Sequence, residues 1–175
     1  MIRSSLIQRL RRDERGMAAV EMALITSVFA VAMMNAVEVG RYAYILMETE
    51  QATQVGAQAA LVACDAQHVP ATQACPSLTS AVTTAVQGTS LGSAVSLNGA
   101  IAEGYYCLNA SNALVYASDV NSKPANCAAF GNSGLSPALY LQVKTRYTYA
   151  PMFRGMTIAQ SFPTAIQKTA WMRML

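Results

Sequence analysis

Residues 17–39 read MAAVEMALITSVFAVAMMNAVEV, and only Glu21 and Glu38 ionise in that stretch. Wound as an α-helix at ~1.5 Å per residue, these residues cover roughly 34 Å, enough for the ~30 Å hydrocarbon core of a bilayer. A single membrane span is therefore expected. Orientation follows from Lys and Arg alone: five arginines precede the span, Arg41 follows it closely, and the next basic residue is Lys123. That asymmetry predicts a cytoplasmic N-terminus, with everything after Arg41 across the membrane.

The charge count supports the same division. Five of the twelve basic residues (Arg3, Arg9, Arg11, Arg12, Arg15) and two of the nine acidic ones (Asp13, Glu14) lie in residues 1–16. The whole formal charge of +3 thus sits in the leader, and the remainder balances seven against seven. No distributed phosphate-binding footprint exists, so nucleic acid is not an expected partner. Charged residues are 12% and apolar types 53% of the 175, which excludes a disordered charged chain.

Helix formers continue past the span, with no Pro and a single Gly (Gly56) between Arg41 and Cys64, predicting one helix of more than forty residues. Small residues recur at four-residue steps, at Ala32, Ala36 and Gly40 and again at Ala52, Gly56 and Ala60. Such a row lets a neighbouring backbone approach closely, although an Ala-rich helix also produces rows by chance. Beyond Cys64 the composition turns to Ser, Thr, Asn, Gly and Pro with short apolar runs. Residues 76–88 read as a short helix with Pro near its start and Gly at its end. AIAEGYYCL, NALVYAS and LYLQVKTRYTYA have the alternation and aromatic or β-branched content of strands. In the last, Tyr140, Gln142, Lys144, Arg146 and Thr148 share one face, and Leu141, Val143, Thr145, Tyr147 and Tyr149 the other. One mostly polar face predicts an antiparallel sheet with a wet side. SFPTAIQKTAWMRML is ambiguous between strand and helix, and its place after a strand and a turn favours a closing strand. The expected fold class is α+β: leader 1–16, membrane and extended helix 17–63, and a small head 64–175.

All four cysteines, Cys64, Cys75, Cys107 and Cys127, lie beyond the span, where two disulfides are expected. Of three pairings, Cys64 with Cys75 and Cys107 with Cys127 each close a local loop. A metal reading of Cys64, His68 and Cys75 lacks the paired C-x2-C knuckle of structural zinc sites, and no metal or cofactor is expected. Gly88-Thr89-Ser90-Leu91-Gly92 matches the G-x-S-x-G elbow of serine hydrolases. That elbow needs a strand before it, and here a helix pattern precedes it. The one histidine, His68, also comes before Ser90, against the chain order of those enzymes. A flexible Gly/Ser turn explains the same residues, and no catalytic residues are expected.

The junction of leader and span carries the chemistry. Gly16 offers no side chain to obstruct a protease groove and tolerates the extended backbone that cleavage requires, so a cut between Gly16 and Met17 is chemically sensible. Cleavage would leave an α-ammonium at Met17. Glu21, five positions into the new chain, is a carboxylate entering hydrocarbon, which is costly without a partner. The terminal ammonium of a neighbouring subunit could be that partner, and the plainer alternative is that Glu21 rests at headgroup level.

The Arg-rich leader, Gly16 and then M-A-A-V-E-M-A-L resemble the TadE-like minor pilins, or pseudopilins, of tight-adherence (type IVc) pili. Asn35-Ala36-Val37-Glu38-Val39-Gly40-Arg41 resembles the acidic patch that ends that family's membrane segment. Val143-Lys144-Thr145-Arg146-Tyr147, Pro151 and Ala170-Trp171-Met172-Arg173 are similar to its closing strands. The resemblance covers residues 12–63 and 139–173. Two departures stand out, a leader longer than the minimal one and Met instead of Phe at the first mature position. The resemblance implies cleavage after Gly16 by a prepilin peptidase, recognition through Glu21, and insertion in the inner membrane with the head outside the cytoplasm. It implies other minor pilins, the major pilin, the inner-membrane assembly platform and membrane lipid as partners. Glu38 and Arg41 can pair at i,i+3 and mark the aqueous boundary, a contact contributing only ~0–1 kcal/mol at a surface.

Two other readings remain. Ala30-Val31-Ala32 is an A-x-A site after an apolar run, as in an ordinary secretory signal, but Glu21 interrupts the run and the helix pattern continues through the cut. A membrane-tethered enzyme or binding module is the third, and no catalytic constellation supports it.

Overall fold

A computed structural model describes residues 14–64 and 68–174, with side chains from Gly16 onward. Most of the basic leader, residues 1–13, lies outside the described residues. The fold is α+β: a long N-terminal apolar helix followed by a small head of short helices and an antiparallel sheet. The chain divides into two compact units, one of Met1–Tyr42 with Pro151–Phe162, the other of Ala43–Ala150 with Pro163–Leu175. The division falls inside the long helix because its C-terminal part contributes to the head's core.

Helix α1 runs unbroken over Glu14–Ala63, as the absence of Pro and the wealth of Ala, Met, Leu and Glu require. In the second unit its buried positions are Ile45, Thr49, Ala52, Thr53, Gly56, Ala57 and Ala60, the three- and four-residue spacing of one helix face. Helices α2 (Ala71–Ala74) and α3 (Leu78–Gln87) follow, the latter burying Leu78, Val82 and Val86 at i, i+4, i+8. Five strands form one sheet: β1 (Val95–Leu97), β2 (Ala102–Leu108), β3 (Leu114–Ser118), β4 (Ala138–Thr148) and β5 (Ala165–Arg173).

β4 is the spine of the sheet. One edge pairs along nine residues with β5, from Tyr140↔Arg173 to Thr148↔Ala165. The other edge carries β2 (Ala102↔Gln142 to Tyr106↔Ala138) and then β1 (Val95↔Tyr147 to Leu97↔Thr145). β1 and β2 are thus two halves of one interrupted strand, held across the break where Asn98 N donates to Lys144 O at 2.8 Å. All these pairings are antiparallel, and the closing segment is a strand.

The expected alternation along β4 holds. Leu139, Leu141, Val143 and Thr145 are buried, whereas Lys144, Arg146 and Thr148 are exposed. The buried side chains join Ala52, Ala57 and Ala60 of α1 and Val82 and Val86 of α3 in one core. Burying each Val or Leu stabilises by about 1.5–3 kcal/mol. Thr145 is a polar group in that core, matched by Thr53 of α1 at 2.6 Å between hydroxyl oxygens. The Thr53 hydroxyl donates to Thr49 O at 2.6 Å, so Thr145 supplies the proton between the two. On the opposite face, the Tyr106 ring meets Tyr116, Tyr140 and Trp171 edge-on at 4.9–5.9 Å between centroids. Burial, and secondarily the neighbouring Tyr116, raise the Tyr106 hydroxyl above its ordinary pKa.

Both expected cysteine pairs form. Cys64 and Cys75 have Cα atoms 6.0 Å apart, and Cys107 and Cys127 5.6 Å apart. The second bridge ties β2 to the loop 119–137, whose 3-10 turn Ala128–Phe130 and Cys127↔Asn132 bridge give it local order.

Candidate functional site

Gly16 and Met17 lie in the first turn of α1 rather than in an extended junction. From Gly16 to Phe29 every residue is exposed, including Met17 at 73%, Met22 at 65% and Phe29 at 64%. A helix that is apolar all round and covered by nothing belongs in lipid or against other apolar helices. It is the one described helix long and apolar enough to cross a membrane. Glu21 is exposed within that surface and makes no hydrogen bond or ion pair among the described residues.

Among the described residues Gly16 has no packing reason to be glycine. A Cβ there would meet nothing within 4 Å among the described residues, and its φ is not in the left-handed region. Glycine inside a helix costs ~1 kcal/mol relative to alanine, so this position weakens the first turn with no compensating contact among the described residues. Gly56 is the opposite case. A Cβ there would lie 2.6 Å from Val86 Cγ2 and 3.3 Å from Val82 Cγ1, so α3 approaches α1 only because Gly56 has no side chain. The row of small residues therefore splits in function. Ala52, Gly56 and Ala60 are buried against the chain's own head, while Ala32, Ala36 and Gly40 remain exposed.

Glu38 and Arg41 come together as expected, at 3.4 Å between Oε1 and Nη1. The surroundings of Glu38 go beyond a surface pair. Its side chain is fully buried, and its two carboxylate oxygens accept the backbone N–H of Met152 at 3.1 Å each and that of Phe153 at 3.4 Å. One turn earlier, Asn35 Oδ1 accepts the N–H of Ile158 at 2.9 Å, and its Nδ2 donates to Val31 O at 2.8 Å. Tyr42 stacks at a tilt on Phe162, with centroids 4.7 Å apart. The segment Pro151–Phe162, which joins β4 to β5, is thus fastened along Asn35, Glu38 and Tyr42. Its backbone N–H groups supply the donors a buried carboxylate requires. Sequence reasoning missed this role of residues 151–162; a polar Asn35 one turn before Glu38 in an apolar run was the available signal.

The two tempting motifs resolve differently. The thiols of Cys64 and Cys75 are joined to each other, which removes both sulfur ligands from the C-x3-H-x6-C pattern. Ser90 lies on a turn after α3, not after a strand, and its hydroxyl donates to Glu48 Oε2, a polar contact between turn and helix. Compared with known proteins, the chain matches no family model, no curated protein and no solved structure.

Proposed function

We propose that the protein is a non-enzymatic minor pilin or pseudopilin of the TadE-like kind, a structural component in assembly of a tight-adherence type IVc pilus. It enters the inner membrane with its N-terminus in the cytoplasm and its disulfide-bonded head outside. A prepilin peptidase cuts after Gly16, and the new chain beginning at Met17 associates with other pilins at the assembly platform. The observation that carries this reading is the combination at the start of α1. In the first turn of α1 stands a glycine with no packing partner among the described residues, the helix is exposed throughout from Gly16 to Phe29, and an exposed carboxylate, Glu21, stands five positions beyond the cut. The exposed row Ala32, Ala36 and Gly40 gives a neighbouring helix room to approach.

Within that assembly Glu21 pairs with the Met17 ammonium of an adjacent subunit. A hydrogen bond to a charged group contributes about 1.5–3 kcal/mol, so losing it weakens association roughly tenfold or more. Glu21→Ala should therefore reduce recovery in sheared pilus fractions by about that factor and leave the membrane-inserted pool unchanged. Equal recovery of mutant and wild type would assign Glu21 to the headgroup level and remove it from assembly.

A further inference from the structure

The segment Pro151–Phe162 has an inverted polarity for a loop in water. Its small residues turn inward, with Thr157 at 7% and Ala159 at 1% exposure, while Met152, Met156 and Ile158 are 61–65% exposed. Its backbone is held, not loose: Met152 and Phe153 N–H bind the Glu38 carboxylate, Ile158 N–H binds Asn35, and the 3-10 turn Ile158–Ser161 follows. Gly155, at φ +83°, makes the sharp turn between Met152 and Met156 that an L side chain would resist.

We propose that this loop is a second membrane-contacting element, laying Met152, Met156 and Ile158 into the lipid–water interface beside the helix. Its depth is set by its anchors. Glu38 is nine residues, or about 14 Å, from Phe29, close to the ~15 Å half-thickness of the hydrocarbon core when Phe29 is at the midplane. The loop's apolar side chains therefore continue the exposed apolar surface of the helix at the level where acyl chains give way to headgroups. Arg154, exposed at the loop's tip, matches the charge of anionic phospholipids. Glu38, buried, paired with Arg41 and satisfied by backbone N–H groups, leaves no exposed carboxylate in the loop or at its anchors to oppose it. The inference rests on the span and is independent of pilus assembly.

The test uses the full chain in phosphatidylethanolamine/phosphatidylglycerol vesicles, with Trp171→Phe removing the native fluorophore and single reporters introduced at exposed positions. Met156→Trp, and separately Ile158→Trp, should emit at blue-shifted wavelengths and lose most of their emission to bromines placed high on the acyl chains. Phe29→Trp should be quenched by bromines near the bilayer centre. Quenching of Phe29→Trp without quenching of either loop reporter overturns the inference and leaves the span intact. Blue-shifted but unquenched loop reporters assign the loop to a second copy of the chain and also overturn it. An unquenched Phe29→Trp removes the span, and the inference with it.

Discussion

Gly16→Leu is expected to leave the chain at full length in the membrane, with the leader attached and no processed form detectable. The bond between Gly16 and Met17 is in the first turn of α1, so a protease can reach it only after that turn unwinds into an extended strand. Glycine lowers the cost of unwinding by ~1 kcal/mol relative to a good helix former and presents no side chain to the groove. Leucine reverses both effects. The substitution leaves the fold itself undisturbed, because nothing described lies within 4 Å of the new Cβ. Loss of processing can then be read as a property of the cleavage site. An immunoblot of membranes in which Gly16→Leu is shortened as efficiently as wild type would remove the argument for glycine at that bond.

The second large effect is expected at Gly56, where the same residue type has a purely internal reason. Gly56→Leu places a branched side chain where even a Cβ meets Val86 at 2.6 Å and Val143 at 3.6 Å. Helix propensity favours leucine by somewhat under ~1 kcal/mol, while overpacking a filled core costs ~1–3 kcal/mol, and here neither the Cβ nor the three carbons beyond it have space. The net loss should be about 2 kcal/mol, lowering the thermal midpoint by roughly 4–8 °C for a chain of this size. Gly40→Leu is the matched control, since a Cβ at Gly40 meets nothing within 4 Å. Near-UV circular dichroism of the full chain in detergent should show early loss of tertiary signal for Gly56→Leu and a wild-type midpoint for Gly40→Leu. Coincident melts for the two variants would contradict the packing described for α1 and α3.

These two glycines show how far sequence reasoning reached. Alternation made β2, β3 and β4 legible, and the polar and apolar faces of β4 could be assigned residue by residue; α1 was legible from its apolar run and Pro-free helix formers, and β5 only from its place after a strand and a turn. Sequence reasoning placed Gly16 at the junction and Gly56 in a row of small residues, but only the partner across space shows that the row is filled by Val82 and Val86 of the chain's own head. The row Ala52, Gly56 and Ala60 was visible, but its occupant, the chain's own α3, was not.

Short elements escaped for a related reason. β1 has three residues, too few for an alternation, and is a strand because β4 continues past the end of β2. α2 has four, and the N–H groups of Ala71 and Thr72 are held at 3.0 and 2.9 Å by Glu103 from β2, 32 and 31 residues away. The burial of Glu38 is the largest such case. An acidic residue at the end of an apolar run reads as a boundary marker, whereas its carboxylate is enclosed by backbone donors more than a hundred positions later in the chain. The cysteine pairing succeeded because local loop closure was the deciding factor for both bridges.

Every functional step proposed for the membrane segment depends on where the mature chain begins. Edman sequencing of the protein purified from membranes should return Met-Ala-Ala-Val-Glu, starting at Met17. A chain starting at Met33 would mean release by a secretory signal peptidase, and one starting at Met1 an uncut anchor; either result would contradict the account.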